Sequence, residues 1–147
     1  MGTVASTASA APDTRLVSVV MPCFNAARYV EEAVASALGQ SHLALELIVV
    51  DDGSTDGSAS ILARLADDSG GRMRVMHTER RGAYPARNAG LKAARGEFIA
   101  FLDADDWWLP ATIETLLQAL DAQGADLSYC GWQNVGEGIQ SAPHVPP

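Results

Sequence analysis

The chain has 147 residues, 48% of them apolar, which is enough for one domain that buries roughly 70% of the surface its unfolded form exposes and too little for two. No apolar run approaches the ~20 residues of a membrane-spanning helix, the longest being residues 47–50 and 98–102. Eighteen acidic against ten basic side chains leave a formal charge of −8, which opposes nonspecific attraction to nucleic acid or anionic lipid.

Residues 1–14 are mostly Ala, Ser and Thr without a basic n-region or a continuous apolar core, so they read as a disordered lead rather than a signal peptide. Residues 16–21 and 45–50 are runs of Val, Ile and Leu, the pattern of strands covered on both faces and therefore of a parallel sheet. Between them Ala27, Val30, Val34, Ala37 and Leu38 recur at helical spacing, with Gly39 placed for a left-handed C-terminal residue. A second helix is predicted over 57–67 on Ile61, Leu62 and Leu65, then a strand over 73–77. Pro85 suits the first turn of a third helix that carries Leu91 and Ala94 and stops at Gly96, before a fourth strand over 97–102. Pro110 opens a fourth helix bearing Ile113, Leu116, Leu117 and Leu120 and closed at Gly124, and residues 126–130 read as a fifth strand. Residues 136–147, with three prolines and two glycines, form an irregular tail, so the folded portion is expected over 15–135. The two cysteines, Cys23 and Cys130, have no CxxC spacing and lie among apolar or aromatic neighbours, so both read as buried small hydrophobes. This usage fits a reducing cytoplasm, with the chain either free or peripheral to the membrane.

The alternation β-α-β-α-β-α-β-α-β argues for an open, mostly parallel, doubly wound α/β sheet with helices on both faces, in which ligands bind beyond the carboxyl ends of the strands. Three strands end in suggestive chemistry: Pro22-Cys23-Phe24-Asn25, Asp51-Asp52-Gly53-Ser54 and Asp103-Ala104-Asp105-Asp106. With strand order 3-2-1-4 the two acidic clusters flank the first strand ~10 Å apart, about the length of a nucleoside diphosphate. Taken alone, Asp51-Asp52-Gly53-Ser54 also reads as a turn with an Asx cap. Crowded carboxylates repel unless a cation neutralises them, and hard oxygen ligands without His or Cys suit Mg²⁺ or Mn²⁺ completed by phosphate oxygens. His42, His77 and His144 are scattered without ligand spacing. Seven of the ten basic residues lie between Arg72 and Arg95; most read as solvated surface charges, with Arg87 best placed to reach a diphosphate. Trp107 and Trp108 read as packing ahead of a helix rather than as a sugar platform.

Taken in order, Val19-Val20-Met21-Pro22-Cys23-Phe24-Asn25, then Glu46-Leu47-Ile48-Val49-Val50-Asp51-Asp52-Gly53-Ser54-Thr55-Asp56, then Ala86-Arg87-Asn88-Ala89-Gly90, then Phe101-Leu102-Asp103-Ala104-Asp105-Asp106 with Pro110, resemble a family-2 glycosyltransferase over residues 16–135. The resemblance implies a GT-A (Rossmann-like) fold, a nucleotide-sugar donor and inversion at the anomeric carbon. Carried over, it places Pro22 and Asn25 beside the nucleoside, makes Asp52 the carboxylate that hydrogen-bonds the base, with uracil favoured, and gives Asp51 a supporting role. Arg87 resembles the basic residue near the base and diphosphate. Asp103 and Asp105 resemble the metal and ribose contacts of the Asp-x-Asp motif, with Asp106 a further metal ligand.

The family's acceptor-activating carboxylate lies after the fifth strand, where this sequence has its irregular tail. The expectation is therefore the donor-binding portion of a transferase, apparently truncated after about five strands, with the hydroxyl acceptor and the general base outside it. Its open sheet edge favours self-association or pairing with another chain. The alternative is a non-catalytic nucleotide- or partner-binding module derived from such a transferase.

Overall fold

A computed structural model describes residues 13–136 and 141–145; most of the lead and part of the tail expected from the sequence, residues 1–12, 137–140 and 146–147, lie outside the described residues. Eight elements alternate: β1 (Val17–Cys23), α1 (Val30–Leu38), β2 (Leu45–Asp51), α2 (Ser58–Asp68), β3 (Met73–His77), α3 (Ala83–Ala93), β4 (Phe98–Phe101) and α4 (Thr112–Gln123). The strands form one parallel sheet in the order β3-β2-β1-β4, so β2 and β4, whose ends carry the two acidic clusters, flank β1.

The two central strands are nearly continuous in Val, Ile and Leu because helices cover both of their faces. On one face Val17, Val19, Met21, Leu47 and Val49 pack with Val30 and Val34 of α1, Leu62 of α2 and Ile113 and Leu117 of α4. On the other, Ile48 and Val50 meet Ala86 and Ala89 of α3. Among the described residues only α3 covers this second face, and at the β4 edge Ile99 and Phe101 are exposed. No helix among the described residues is long and apolar enough to cross a membrane.

Three expectations are corrected. Residues 126–130 form no strand: Leu127 and Tyr129 are exposed, and the Ser128 hydroxyl donates to the Leu116 carbonyl, so this segment lies against α4 instead of reaching a sheet edge that could pair with it. Cys130 is consequently exposed, whereas Cys23 is buried, its thiol pushed up to about 11 by burial and then by the Asp51 charge. Gly39 is not left-handed (φ −88°); the buried Gln40 side chain satisfies the helix end by donating to the carbonyls of Ser36 and Leu109, which leaves no need for a left-handed turn. Gly124 does adopt the left-handed conformation (φ 58°) that closes α4.

Two polar residues interrupt the apolar run near the amino ends of the strands. The Ser18 hydroxyl donates to Glu46 (2.6 Å), and Glu46 accepts from the Arg95 backbone N–H (2.9 Å), the Arg95 guanidinium (2.6 and 3.0 Å) and Arg74 (3.2 Å). Burial alone would raise the Glu46 pKa, but the Arg95 side chain, Ser18, the Arg95 N–H and the Arg74 charge overcome it and hold it down at about 2 against an ordinary 4.5. A carboxylate depressed on folding contributes its stability in full above the unfolded value and loses it as pH falls toward the folded one. Urea unfolding should therefore show Glu46→Gln less stable at pH 7 by about 2–3 kcal/mol, with the gap from wild type closing between pH 4.5 and pH 2. A constant gap across that window would contradict the assignment.

Candidate functional site

The register aligns the carboxyl ends of three strands, with Cys23 of β1 beside Asp51 of β2 and Asp51 beside His77 of β3. Just beyond them opens a cleft of about 450 Å³ whose lining includes Pro22, Phe24, Asn25, Asp52, Arg80, Gly82, Arg87, Asp103 and Asp105. Six of the eight residues singled out from the sequence thus face one space. The other two do not: Asp51 is buried behind the cleft, and Asp106 lies outside its lining.

Each acid at the end of β2 has a distinct task. Asp51 Oδ1 accepts the Ser54 N–H (3.1 Å), which is the turn-capping role that the tetrapeptide also suggested, and its Oδ2 sits 3.2 Å from His77 Nδ1. Asp52, 3% exposed, clasps the segment between β3 and α3: its carboxylate accepts from the Thr78 hydroxyl (2.8 Å), the Arg81 N–H (3.0 and 3.1 Å) and the Gly82 N–H (2.7 Å). Burial opposes ionisation of Asp52, yet the N–H groups of Arg81 and Gly82, the Thr78 hydroxyl and the Arg80 charge together hold its pKa below the usual carboxylate value. Asn25 holds the β2–α2 loop. Its Oδ1 accepts the Thr55 N–H (2.8 Å) and the Asp56 N–H (3.3 Å), and its own N–H donates to Ser54 Oγ (3.0 Å). This geometry requires a left-handed backbone at Asn25 (φ 49°), which asparagine tolerates better than most residues.

Across the cleft, Arg87 in the second turn of α3 forms an ion pair with Asp103, two residues past the end of β4. Burial, then the charges of Asp105 and Asp103, raise the Asp106 pKa, so negative charge is crowded at this turn. Among the described residues no three His, Cys, Asp or Glu side chains converge to hold an ion. The donor set still fits a magnesium-like cation, which is commonly held by one or two carboxylates and the oxygens of a bound phosphate; Asp103 and Asp105, both facing the cleft, are the two carboxylates placed for that.

The basic segment sorts by strand polarity in a way its composition does not reveal. Arg74 and Arg95 serve Glu46 at the amino ends of the strands, and Arg72 donates to the Leu38 carbonyl, so these three exposed charges also make fold contacts. Arg80 and Arg87 face the cleft. The sequence reading passed over Arg80, whose guanidinium lies 3.8 Å from the centroid of the Phe24 ring, and Thr78 and Gly82, which bond Asp52. The aromatic after Pro22-Cys23 was a visible signal for Phe24, but none in the sequence separated Arg80 from its basic neighbours. Trp108 packs on the core as expected, while Trp107 is half-exposed and lies outside the cleft lining.

Comparison with known proteins accords with this geometry. Glycosyltransferase GlyG of Streptococcus pneumoniae is 40% identical over 126 residues, which are 84% of this chain and 41% of the relative. The putative teichuronic acid biosynthesis glycosyltransferase TuaG of Bacillus subtilis is 41% identical over 118 residues, 80% of this chain and 46% of the relative. Among solved structures, S. aureus TarS 1–349 in complex with UDP superposes with a TM-score of 0.67 at 30% identity, covering 76% of this chain and 33% of that one. The mannosyltransferase PcManGT from Pyrobaculum calidifontis, in complex with GDP-Man and Mn²⁺, gives 0.68 at 32% identity, covering 76% and 35%. The chain spans less than half the length of these relatives. Its open parallel sheet is that of the GT-A glycosyltransferases among its structural neighbours. The family model described as glycosyl transferase family 2 matches residues 18–146, and the chain belongs to that family.

Proposed function

We propose that the described residues form the donor-binding side of an inverting glycosyltransferase that takes a nucleoside diphosphate sugar, UDP-sugars in preference, together with Mg²⁺ or Mn²⁺. The observation that carries this reading is the single cleft at the carboxyl ends of the strands, where a buried, ionised Asp52 faces the Arg87–Asp103 pair and Asp105. The solved relatives bound to UDP, to UDP-GlcNAc and to GDP-Man with Mn²⁺ support the same ligand class. Asp52, Pro22 and Asn25 mark the nucleoside end, and Arg87, Asp103 and Asp105 the diphosphate end. Asp103 and Asp105 are the residues that would hold a divalent cation, which when bound would supply neutralisation of the negative charge that develops on a departing nucleoside diphosphate. Inversion further needs a carboxylate that takes the acceptor hydroxyl's proton on the opposite face of the sugar, and no described residue is assigned that task.

Calorimetry on the whole chain tests this. Uridine diphosphate should bind at least about tenfold more tightly with Mn²⁺ than with excess chelator, while uridine should bind equally in both, because the cation's shell is shared with the diphosphate. Failure of both UDP and GDP to bind would overturn the reading. Following sugar transfer from a panel of nucleotide sugars then separates a transferase from a nucleotide-binding module, which binds donor and forms no glycoside.

A further inference from the structure

We propose that Thr78 is a positioning residue whose hydroxyl turns the Asp52 carboxylate to read a base N–H, and that it thereby sets a preference for uracil over cytosine. This rests on the donor-site reading above. Register brings the two residues together. β2 and β3 pair as far as Asp51 beside His77, and the ladder runs one step further: the Thr78 N–H donates to the Asp51 carbonyl (2.9 Å), as the Asp52 N–H donates to the Cys23 carbonyl of β1 (2.8 Å). Thr78 and Asp52 therefore meet on extensions of neighbouring strands that backbone bonds already hold, with the Thr78 hydroxyl 2.8 Å from Asp52 Oδ1. Asp52 lines the cleft and Thr78 lies outside the lining, so the threonine acts through the carboxylate.

The donors to Asp52 divide unequally between its oxygens. The Gly82 N–H serves Oδ2 (2.7 Å), the Arg81 N–H is shared (3.0 Å to Oδ1, 3.1 Å to Oδ2), and the Thr78 hydroxyl serves Oδ1 alone. Without Thr78, Oδ1 keeps only its share of one hydrogen and the group can pivot about Oδ2. Threonine suits the task, because a β-branched side chain is stiff at χ1. Among the described residues its hydroxyl bonds nothing but Asp52, so its proton is committed and the remaining lone pairs of the carboxylate keep one direction. An ionised carboxylate so held accepts from the imide N–H of uracil, whereas cytosine presents a lone pair at the same ring nitrogen. The charged and titratable groups around Asp52 are Asp51 with its His77 partner, Cys23 of β1, Glu79, Arg80 and Arg81 of the following segment, and Arg87, Asp103 and Asp105 across the cleft. Burial works against the Asp52 charge, and the two N–H groups, Thr78 and then Arg80 sustain it.

The experiment measures UDP and CDP binding with Mn²⁺ by calorimetry in wild type, Thr78→Val and Thr78→Ser, and follows the Asp52 carboxyl by NMR titration in each. The two ligands share the ribose and diphosphate, so their ratio isolates the base. Thr78→Val keeps the shape and removes the hydroxyl; it should bind UDP about fivefold more weakly and CDP within about twofold of wild type, and the Asp52 titration should move up toward the ordinary carboxylate value. Thr78→Ser, which restores the donor, should recover most of both effects. An equal loss for UDP and CDP in Thr78→Val would mark a loosened wall and overturn the proposal, as would an unchanged ratio or an unmoved Asp52 titration, each leaving the donor cleft standing. Equal binding of UDP and CDP by wild type would overturn the base-reading role of Asp52 and the proposal with it. A wild-type chain that binds neither UDP nor GDP overturns the donor-site reading itself.

Discussion

Asp52→Ala is expected to weaken UDP and uridine binding alike, by about thirtyfold, and to speed amide exchange across residues 78–82. The carboxylate has roughly four lone-pair positions, and the three hydrogens from Thr78, Arg81 and Gly82, that of Arg81 shared between both oxygens, leave acceptor capacity for a base N–H. Removing it releases the β3–α3 segment that forms one wall of the cleft and deletes the one acidic group among the described residues that lines its proposed nucleoside end. Arg81 and Gly82 are exposed, so water re-solvates their N–H groups, and the cost to global stability stays near 1–2 kcal/mol, well below the sum of the lost bonds. The fold should therefore survive by circular dichroism. Unchanged UDP affinity in a folded Asp52→Ala chain would show that the resemblance has misplaced the base-reading carboxylate.

Gly90→Ala should destabilise the chain by about 2–3 kcal/mol in urea unfolding, and Gly90→Val should prevent folding. Alanine is the better helix former by ~1 kcal/mol, so intrinsic propensity alone predicts the opposite sign. Packing decides the outcome. A Cβ at Gly90 would stand 2.5 Å from Val20 Cγ1 and 3.3 Å from Val50 Cγ2, both on fully buried, β-branched side chains of the two central strands with no room to turn aside. Helix α3 must therefore lift off the sheet, and with it moves Arg87, one turn earlier on the same helix and paired with Asp103. Donor affinity should fall together with stability. A Gly90→Ala chain as stable as wild type would show that α3 does not bear directly on β1 and β2.

Much of the architecture was legible because it rests on local pattern. β1 and β2 are continuous apolar runs since helices cover both of their faces, and β3 and α4 fall where periodicity and Gly124 place them. The position of the cleft at the carboxyl ends of the strands followed from the alternation of elements, and the motifs that resemble family 2 supplied six residues that line it. Residues 126–130 misled because an apolar run states a preference for burial without stating which edge will pair with it, and here Leu116 of α4 was the neighbour at hand.

The sequence by itself determined four of the strands and their parallel α/β class, the edge where ligand chemistry collects and the family, because hydrophobic period, turn residues and motif order act over short stretches of chain. Only the tertiary structure decided the division of labour among like residues: which of Asp51 and Asp52 caps a turn and which clasps a distant segment, and which arginines serve Glu46, Asp103 or the cleft. The physical reason is range. Apart from the Asp51 turn cap, those partners lie 16 to 49 positions apart, and a charged side chain takes its task from whichever donor or acceptor the packing of the sheet brings within hydrogen-bond reach, which no local pattern encodes.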